Sequence, residues 1–184
     1  MARPQRGTVG LRTWAFPLCA AIAMAGCAFG GVGGAPAEPP AGMPAPTGPM
    51  IEIGRGQSLG IGWRYLVYES AEGTCTVVEQ DGGGGGGCGG EVGPGPGSSA
   101  IGLMSMGSGT GSPTTVEGFA TDEVAEVWIE RADGERVRAE LMSLAPAGKE
   151  GAIFLAFVPE GRLRQVVALS ATGETIASEP LDNP

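Results

Sequence analysis

From residue 51 onward the apolar positions do not recur every three or four residues over a helical length. They alternate with polar ones in short runs broken by Gly, Pro and Asp-Gly, which predicts strands rather than helices. Ile61, Trp63, Tyr65 and Val67 fall on one face of such a run, and Leu66 and Tyr68 on the other. Apolar side chains on both faces predict a central strand covered on two sides. Further strands are expected over Thr74–Glu79, Ser99–Ser105 and Thr115–Ala120. The best-defined unit is a hairpin around Asp133-Gly134, in which Ala125, Val127 and Ile129 share one face and Val137, Ala139 and Leu141 share another. A two-residue turn would set Ile129 opposite Arg138. A three-residue loop, Ala132-Asp133-Gly134, sets Ile129 opposite Val137 and Val127 opposite Ala139, so burial selects it and places Gly134 in a left-handed conformation. On the outer face Glu130 then meets Arg136, and Trp128 meets Arg138. Two more strands, Ala152–Val158 and Leu163–Ser170, are joined through Pro159-Glu160-Gly161, and Ala171-Thr172-Gly173 forms a second three-residue loop into Glu174–Ser178.

Eight or nine short strands in about 130 residues have the spacing of an antiparallel β-sandwich. The fold class expected is therefore all-β, over residues 51–184, with a Gly-rich loop at about 80–98. The later strands resemble those of immunoglobulin-like and fibronectin-like modules. The body also resembles uncharacterised secreted proteins of actinobacteria, with ten Arg to one Lys. Neither resemblance brings functional residues with it.

The first 50 residues read differently. Arg3, Arg6 and Arg12 are the only charges among the first 37, and the apolar run Trp14–Met24 follows them. A basic segment ahead of an apolar one is the pattern of a secretory signal. The run ends at Met24-Ala25-Gly26-Cys27. This tetrad resembles the lipobox of bacterial lipoproteins, whose usual form is Leu-Ala/Ser-Gly/Ala-Cys, with methionine here in place of leucine. The resemblance covers the first 27 residues. It implies a diacylglyceryl group on Cys27, cleavage between Gly26 and Cys27, loss of residues 1–26, and a lipid-anchored protein on the extracytoplasmic face of the cell membrane. Two other readings stay open. One is an ordinary signal peptide cut after Ala21-Ile22-Ala23 or Ala23-Met24-Ala25. The other is a retained span from Trp14 to Gly33, against which Pro17 and the five glycines between Gly26 and Gly34 weigh. Residues 28–50 hold six Pro, six Gly and one charge, Glu38. With Cys27 they read as a disordered tether, about 26 Å long as a flexible coil and about 70 Å as polyproline II.

Charge and composition narrow the chemistry. The chain has 20 acidic residues, 11 basic ones and no histidine, for a net charge of −9. Such a surface does not suit nucleic acid, and it gains nothing from anionic lipid, so membrane attachment would rest on acyl chains. Without histidine there is no Ser-His-Asp triad and no imidazole metal ligand. Gly56-Gln57-Ser58-Leu59-Gly60 matches the G-x-S-x-G pattern but lacks the strand-turn-helix setting and the base. Glycines within 82–90 match G-x-G-x-x-G without a βαβ unit around them. Asp81, ahead of that run, lacks the alternating ligands of a calcium loop. No catalytic, cofactor or metal residue is assigned.

Cys75 and Cys88 remain after export and predict one disulfide, closing a loop of about 14 residues worth roughly 3 kcal/mol. That loop holds Gly82–Gly87, whose tip the bridge would leave mobile. Separate thiols are the alternative. Trp63, Tyr65 and Tyr68 are expected in the core rather than in a ligand groove. Glu117, Asp122, Glu123 and Glu126 are the carboxylates that could serve a hydrolase if they converged in a cleft; otherwise they form a solvated acidic edge. The expected function is a non-catalytic extracytoplasmic binding or interaction domain, with a protein or cell-wall partner. A carboxylate hydrolase and a membrane-spanning sensor ectodomain are the alternatives.

Overall fold

The computed structural model describes residues 38–81, 83–89, 99–107 and 113–181. The expected signal sequence (1–26), Cys27, residues 28–37 of the expected tether, and Gly82 and residues 90–98 of the Gly-rich stretch lie outside the described residues. Among the described residues there is no α-helix, no helix long and apolar enough to cross a membrane, and one short 3₁₀ turn at Ala145–Ala147.

The body is all-β, with three antiparallel sheets of four strands. The first is a meander in the order β1-β2-β3-β4, formed by β1 (Ile51–Ser58), β2 (Ile61–Ser70), β3 (Gly73–Gln80) and β4 (Gly83–Cys88). The second has the order β5-β6-β10-β9, from β5 (Ile101–Gly107), β6 (Thr114–Ala120), β9 (Glu140–Ser143) and β10 (Ala152–Val158). The third has the order β12-β11-β7-β8, from β7 (Glu126–Arg131), β8 (Arg136–Arg138), β11 (Leu163–Leu169) and β12 (Thr175–Pro180). The second and third sheets pack face to face as a β-sandwich, while the strands before residue 89, expected within the same sandwich, form the separate meander. The strand orders of the two sandwich sheets are A-B-E-D and G-F-C-C′ in immunoglobulin lettering.

The sandwich core joins Ile101, Val116, Phe154, Ala156 and Val158 of one sheet to Val127, Ile129, Leu163, Val166 and Ala168 of the other. The other face of the middle sheet is also buried. There Ile153, Leu155, Phe157 and Met142 pack against Trp63, Tyr65, Val67 and Val78 of the meander. Strand β10, with the sequence AIFLAFV, lies between both cores and shows no exposed position. That is the reason its sequence is an unbroken apolar run instead of an alternating one.

The predicted hairpin has the predicted register: Trp128 faces Arg138, Ile129 faces Val137, and Glu130 faces Arg136. The Ala139 amide donates to the Val127 carbonyl at 2.9 Å. The Arg131 amide donates to the Glu135 carbonyl at 2.8 Å, which closes the three-residue loop, and Gly134 has φ +88°. Glu130 and Arg136 form an ion pair at 3.2 Å. Arg138 pairs with Glu126, which also accepts from the Trp128 indole at 2.9 Å. Two details differ from expectation. Val124 is buried where Ala125 was expected, and Ala125 is exposed. The chain also changes sheets after Ala139, since Glu140 pairs with Leu155 of β10. The loop Ala171–Gly173 also has the expected length: the Ser170 amide donates to the Glu174 carbonyl, and Gly173 has φ +81°.

Strand β2 is central and buried on both faces, as its pattern predicts. Its second face carries Leu66 and Tyr68 beside Cys75 and Val77, and Met43 and Met50 pack over them. The cover is thus the end of the segment read from the sequence as tether. The Tyr68 hydroxyl donates to the Pro44 carbonyl at 3.0 Å, and the Thr47 amide donates to the Glu69 carbonyl at 2.8 Å. Packed structure therefore reaches back at least to Met43, ahead of the boundary drawn at residue 50.

Candidate functional site

Cys75 and Cys88 are bonded, with an S–S distance of 2.08 Å and Cα atoms 4.1 Å apart, and they sit directly opposite each other on β3 and β4. Their register carries the glycine run into the sheet. Thr76, Val77, Val78, Glu79 and Gln80 pair with Gly87, Gly86, Gly85, Gly84 and Gly83. Gly83–Gly87 therefore belong to an edge strand among the described residues, and not to the mobile loop tip expected from their composition. The disulfide holds one end of it, and ladder hydrogen bonds hold the rest.

The glycines of β4 divide by face. A Cβ on Gly84 would stand 2.5 Å from the Val78 carbonyl oxygen, and one on Gly86 would collide with the Thr76 carbonyl oxygen and approach Met43 Cε at 3.1 Å. A Cβ on Gly83, Gly85 or Gly87 would meet nothing within 4 Å. None of these five has a positive φ. Glycine's conformational freedom is thus unused along the strand. At 84 and 86 the missing side chain lets β4 lie close against β3. At 83, 85 and 87 it leaves a space.

That space is a cleft of about 760 Å³ between the β3–β4 half of the meander and the β5–β6 half of the middle sheet. It has the size of a small-molecule site. Thr74, Thr76 and Gln80 face it from β3; Met104 and Ser105 from β5; and Thr115, Glu117 and Phe119 from β6. Asp81 lines one end, where its carboxylate accepts the Gly62 amide at 2.9 Å.

Glu117 is the unusual group. It is 7% exposed, in the middle of β6, between Leu155 and Ser105 on the neighbouring strands. Its Oε1 accepts the Ser105 hydroxyl at 2.8 Å, and its Oε2 accepts the Tyr65 hydroxyl at 3.2 Å. Burial holds its carboxyl above the usual carboxylate range, against the pull of those two hydrogen bonds. The same burial, with the nearby Glu117 charge, pushes the Tyr65 phenol up. Among the described residues no Lys or Arg forms an ion pair with Glu117.

The four carboxylates singled out from the sequence do not converge. Asp122 is exposed and accepts the Gly151 amide at 3.2 Å. Glu123 is exposed and accepts from Thr121, and Glu126 belongs to the third sheet with Arg138. Only Glu117 of the four lines the cleft. Among the described residues no group of three His, Cys, Asp or Glu side chains could hold a metal ion. Trp63, Tyr65 and Tyr68 are core residues, 8%, 0% and 2% exposed, although Tyr65 also positions Glu117. The G-x-S-x-G stretch is a hairpin turn. Ser58 pairs with Ile61, and Leu59 and Gly60 between them have φ +53° and +79°, the signs of a type I′ turn.

The glycine wall was not among the residues picked from the sequence as a site. One signal could have found it. Asp81-Gly82 lies midway between Cys75 and Cys88, and a two-residue Asp-Gly hairpin there puts the two cysteines in register.

Comparison with protein-family models, curated proteins and solved structures found no match to this chain.

Proposed function

We propose that the chain is a lipid-anchored protein of the cell envelope whose extracytoplasmic body binds a small ligand in the cleft behind β4. The single observation that carries the binding part is the open space left by Gly83, Gly85 and Gly87 in front of the buried Glu117. The lipobox-like tetrad Met24-Ala25-Gly26-Cys27 supports the anchor, and the Cys75–Cys88 disulfide suits an oxidising compartment. Binding is preferred to hydrolysis because Asp122, Glu123 and Glu126 stand on other parts of the fold.

Intact mass of the protein from membranes tests the anchor. The wild type is expected to start at Cys27 with a diacylglyceryl adduct, and Cys27→Ala to lose both the adduct and the membrane association. Equal mass shifts and equal association in the two would remove the anchor. Thermal-shift screening of a small-molecule panel tests the cleft. Hits on the wild type should disappear in Gly85→Trp, whose indole fills the space. Hits that survive in Gly85→Trp place binding elsewhere.

A further inference from the structure

We infer that the ligand carries a protonated amine and that the Glu117 carboxylate is its counter-ion. This rests on the cleft being a binding site, and it follows from what the walls offer and what they lack.

The ionisable side chains lining the cleft are acidic: Asp81 and Glu117, with no Lys or Arg among the described residues. An anion would meet two carboxylates and no compensating donor charge. Asp81 is already engaged by the Gly62 amide at the rim. Glu117 lies deeper, and its two oxygens each take one hydroxyl hydrogen bond, from Ser105 and Tyr65. Both donors are neutral. A buried carboxylate with neutral donors and no cation is electrostatically incomplete, and a cation brought by the ligand completes it. Tyr65 approaches Glu117 from β2, Ser105 from β5, and Thr76 of β3 stands beside the Tyr65 hydroxyl. Strand β4, opposite, presents bare backbone. Tyr65 is thus the titratable group in direct contact with Glu117, and Asp81 is the other acid of the cleft.

The remaining lining fits the carbon skeleton of such a ligand. Ile61, Val78, Met104 and Phe119 give the cleft an apolar side. The Phe119 ring is two residues from Glu117 on the same face of β6, where an aromatic ring also attracts an ammonium group. Gly83, Gly85 and Gly87 keep the space open although neither their backbone angles nor their neighbours require glycine.

Titration of the full chain in detergent with benzylamine, benzyl alcohol and benzoate, followed by calorimetry, tests the inference. These probes share a ring and differ in charge. Benzylamine should bind at least about tenfold more tightly than benzyl alcohol, a difference of about 1.4 kcal/mol, and benzoate should not bind. Glu117→Gln should remove that preference, bringing the amine and the alcohol to similar affinity. In the wild type, benzylamine affinity should rise with pH as Glu117 loses its proton, a readout that does not depend on any variant folding. Gly85→Trp should abolish binding of both. Equal affinity for the amine and the alcohol, or an amine preference retained in Glu117→Gln, would overturn the counter-ion role while leaving the cleft as a binding site. Absence of binding by all three probes would count against the cleft itself.

Discussion

Alanine substitutions along β4 should have opposite signs on alternate residues. Gly83, Gly85 and Gly87 have ordinary strand backbone and open space where a Cβ would go. Glycine in a strand is less stable than alanine by about 0.5–1 kcal/mol, mainly through the entropy of the unfolded chain. The triple variant Gly83→Ala/Gly85→Ala/Gly87→Ala should therefore gain roughly 1.5–3 kcal/mol if the sites are independent. For a domain of this size that raises Tm by about 3–12 °C. Gly86→Ala should do the reverse, because its Cβ would overlap the Thr76 carbonyl oxygen of a paired strand that cannot easily move. Overpacking of this kind costs about 1–3 kcal/mol. Thermal unfolding followed by far-UV circular dichroism, with the disulfide intact, measures both. If Gly85→Ala destabilises as much as Gly86→Ala, or if Gly86→Ala is neutral, the facing assigned to the strand is wrong.

Three further perturbations address other parts of the structure. Replacing both cysteines by serine opens a bridge across 13 positions, so Tm should fall by about 6–12 °C, from roughly 3 kcal/mol of lost loop-closure entropy; an unchanged Tm would mean that the ladder alone holds β4. Gly118→Ala should lower the urea midpoint by the equivalent of at least about 1–3 kcal/mol, since its Cβ would strike the Gly102 carbonyl oxygen and the Phe154 ring, and a wild-type midpoint would contradict that packing. For Glu117, a carboxyl raised in the folded state keeps its proton more tightly there than in the unfolded chain. Its contribution is thus full below the ordinary carboxylate range and is lost as pH rises through the raised value. Wild-type stability relative to Glu117→Gln should fall across that window, and a difference that does not change with pH would refute the assignment.

The sandwich was legible because its strands obey local rules. Val127 and Ile129 against Val137 and Ala139 leave one register that turns all four toward the core, and the three-residue loop follows from it. The meander was only partly legible. β2 announced two covered faces, but the cover of the second came from Met43 and Met50, in a Pro- and Gly-rich stretch with no period of its own. Such a segment packs by single anchors and backbone hydrogen bonds, which no periodicity records. β4 was illegible for a sharper reason: five of its six residues have no side chain. Its place is set by Cys88 and by the ladder to β3, which only the Asp81-Gly82 turn between them, and no side-chain pattern, could have signalled. A sheet beyond the sandwich, the meander, could have been suspected from the uninterrupted run AIFLAFV, since a strand of a two-sheet sandwich with one face in water alternates. The site inherited these gaps. Glu117 was one of four carboxylates named together, and its isolation from Asp122, Glu123 and Glu126 depends on which sheet each strand joins.

Amide hydrogen exchange across the glycine run, on the oxidised protein, tests the account where it is most exposed. The register makes Gly83, Gly85 and Gly87 the residues whose amides turn toward β3, while those of Gly84 and Gly86 turn toward the free edge. Slow exchange at the first three and fast exchange at the other two is the expected pattern. Exchange at unstructured-chain rates in all five would mean that no wall stands there, and the cleft and its ligand would go with it.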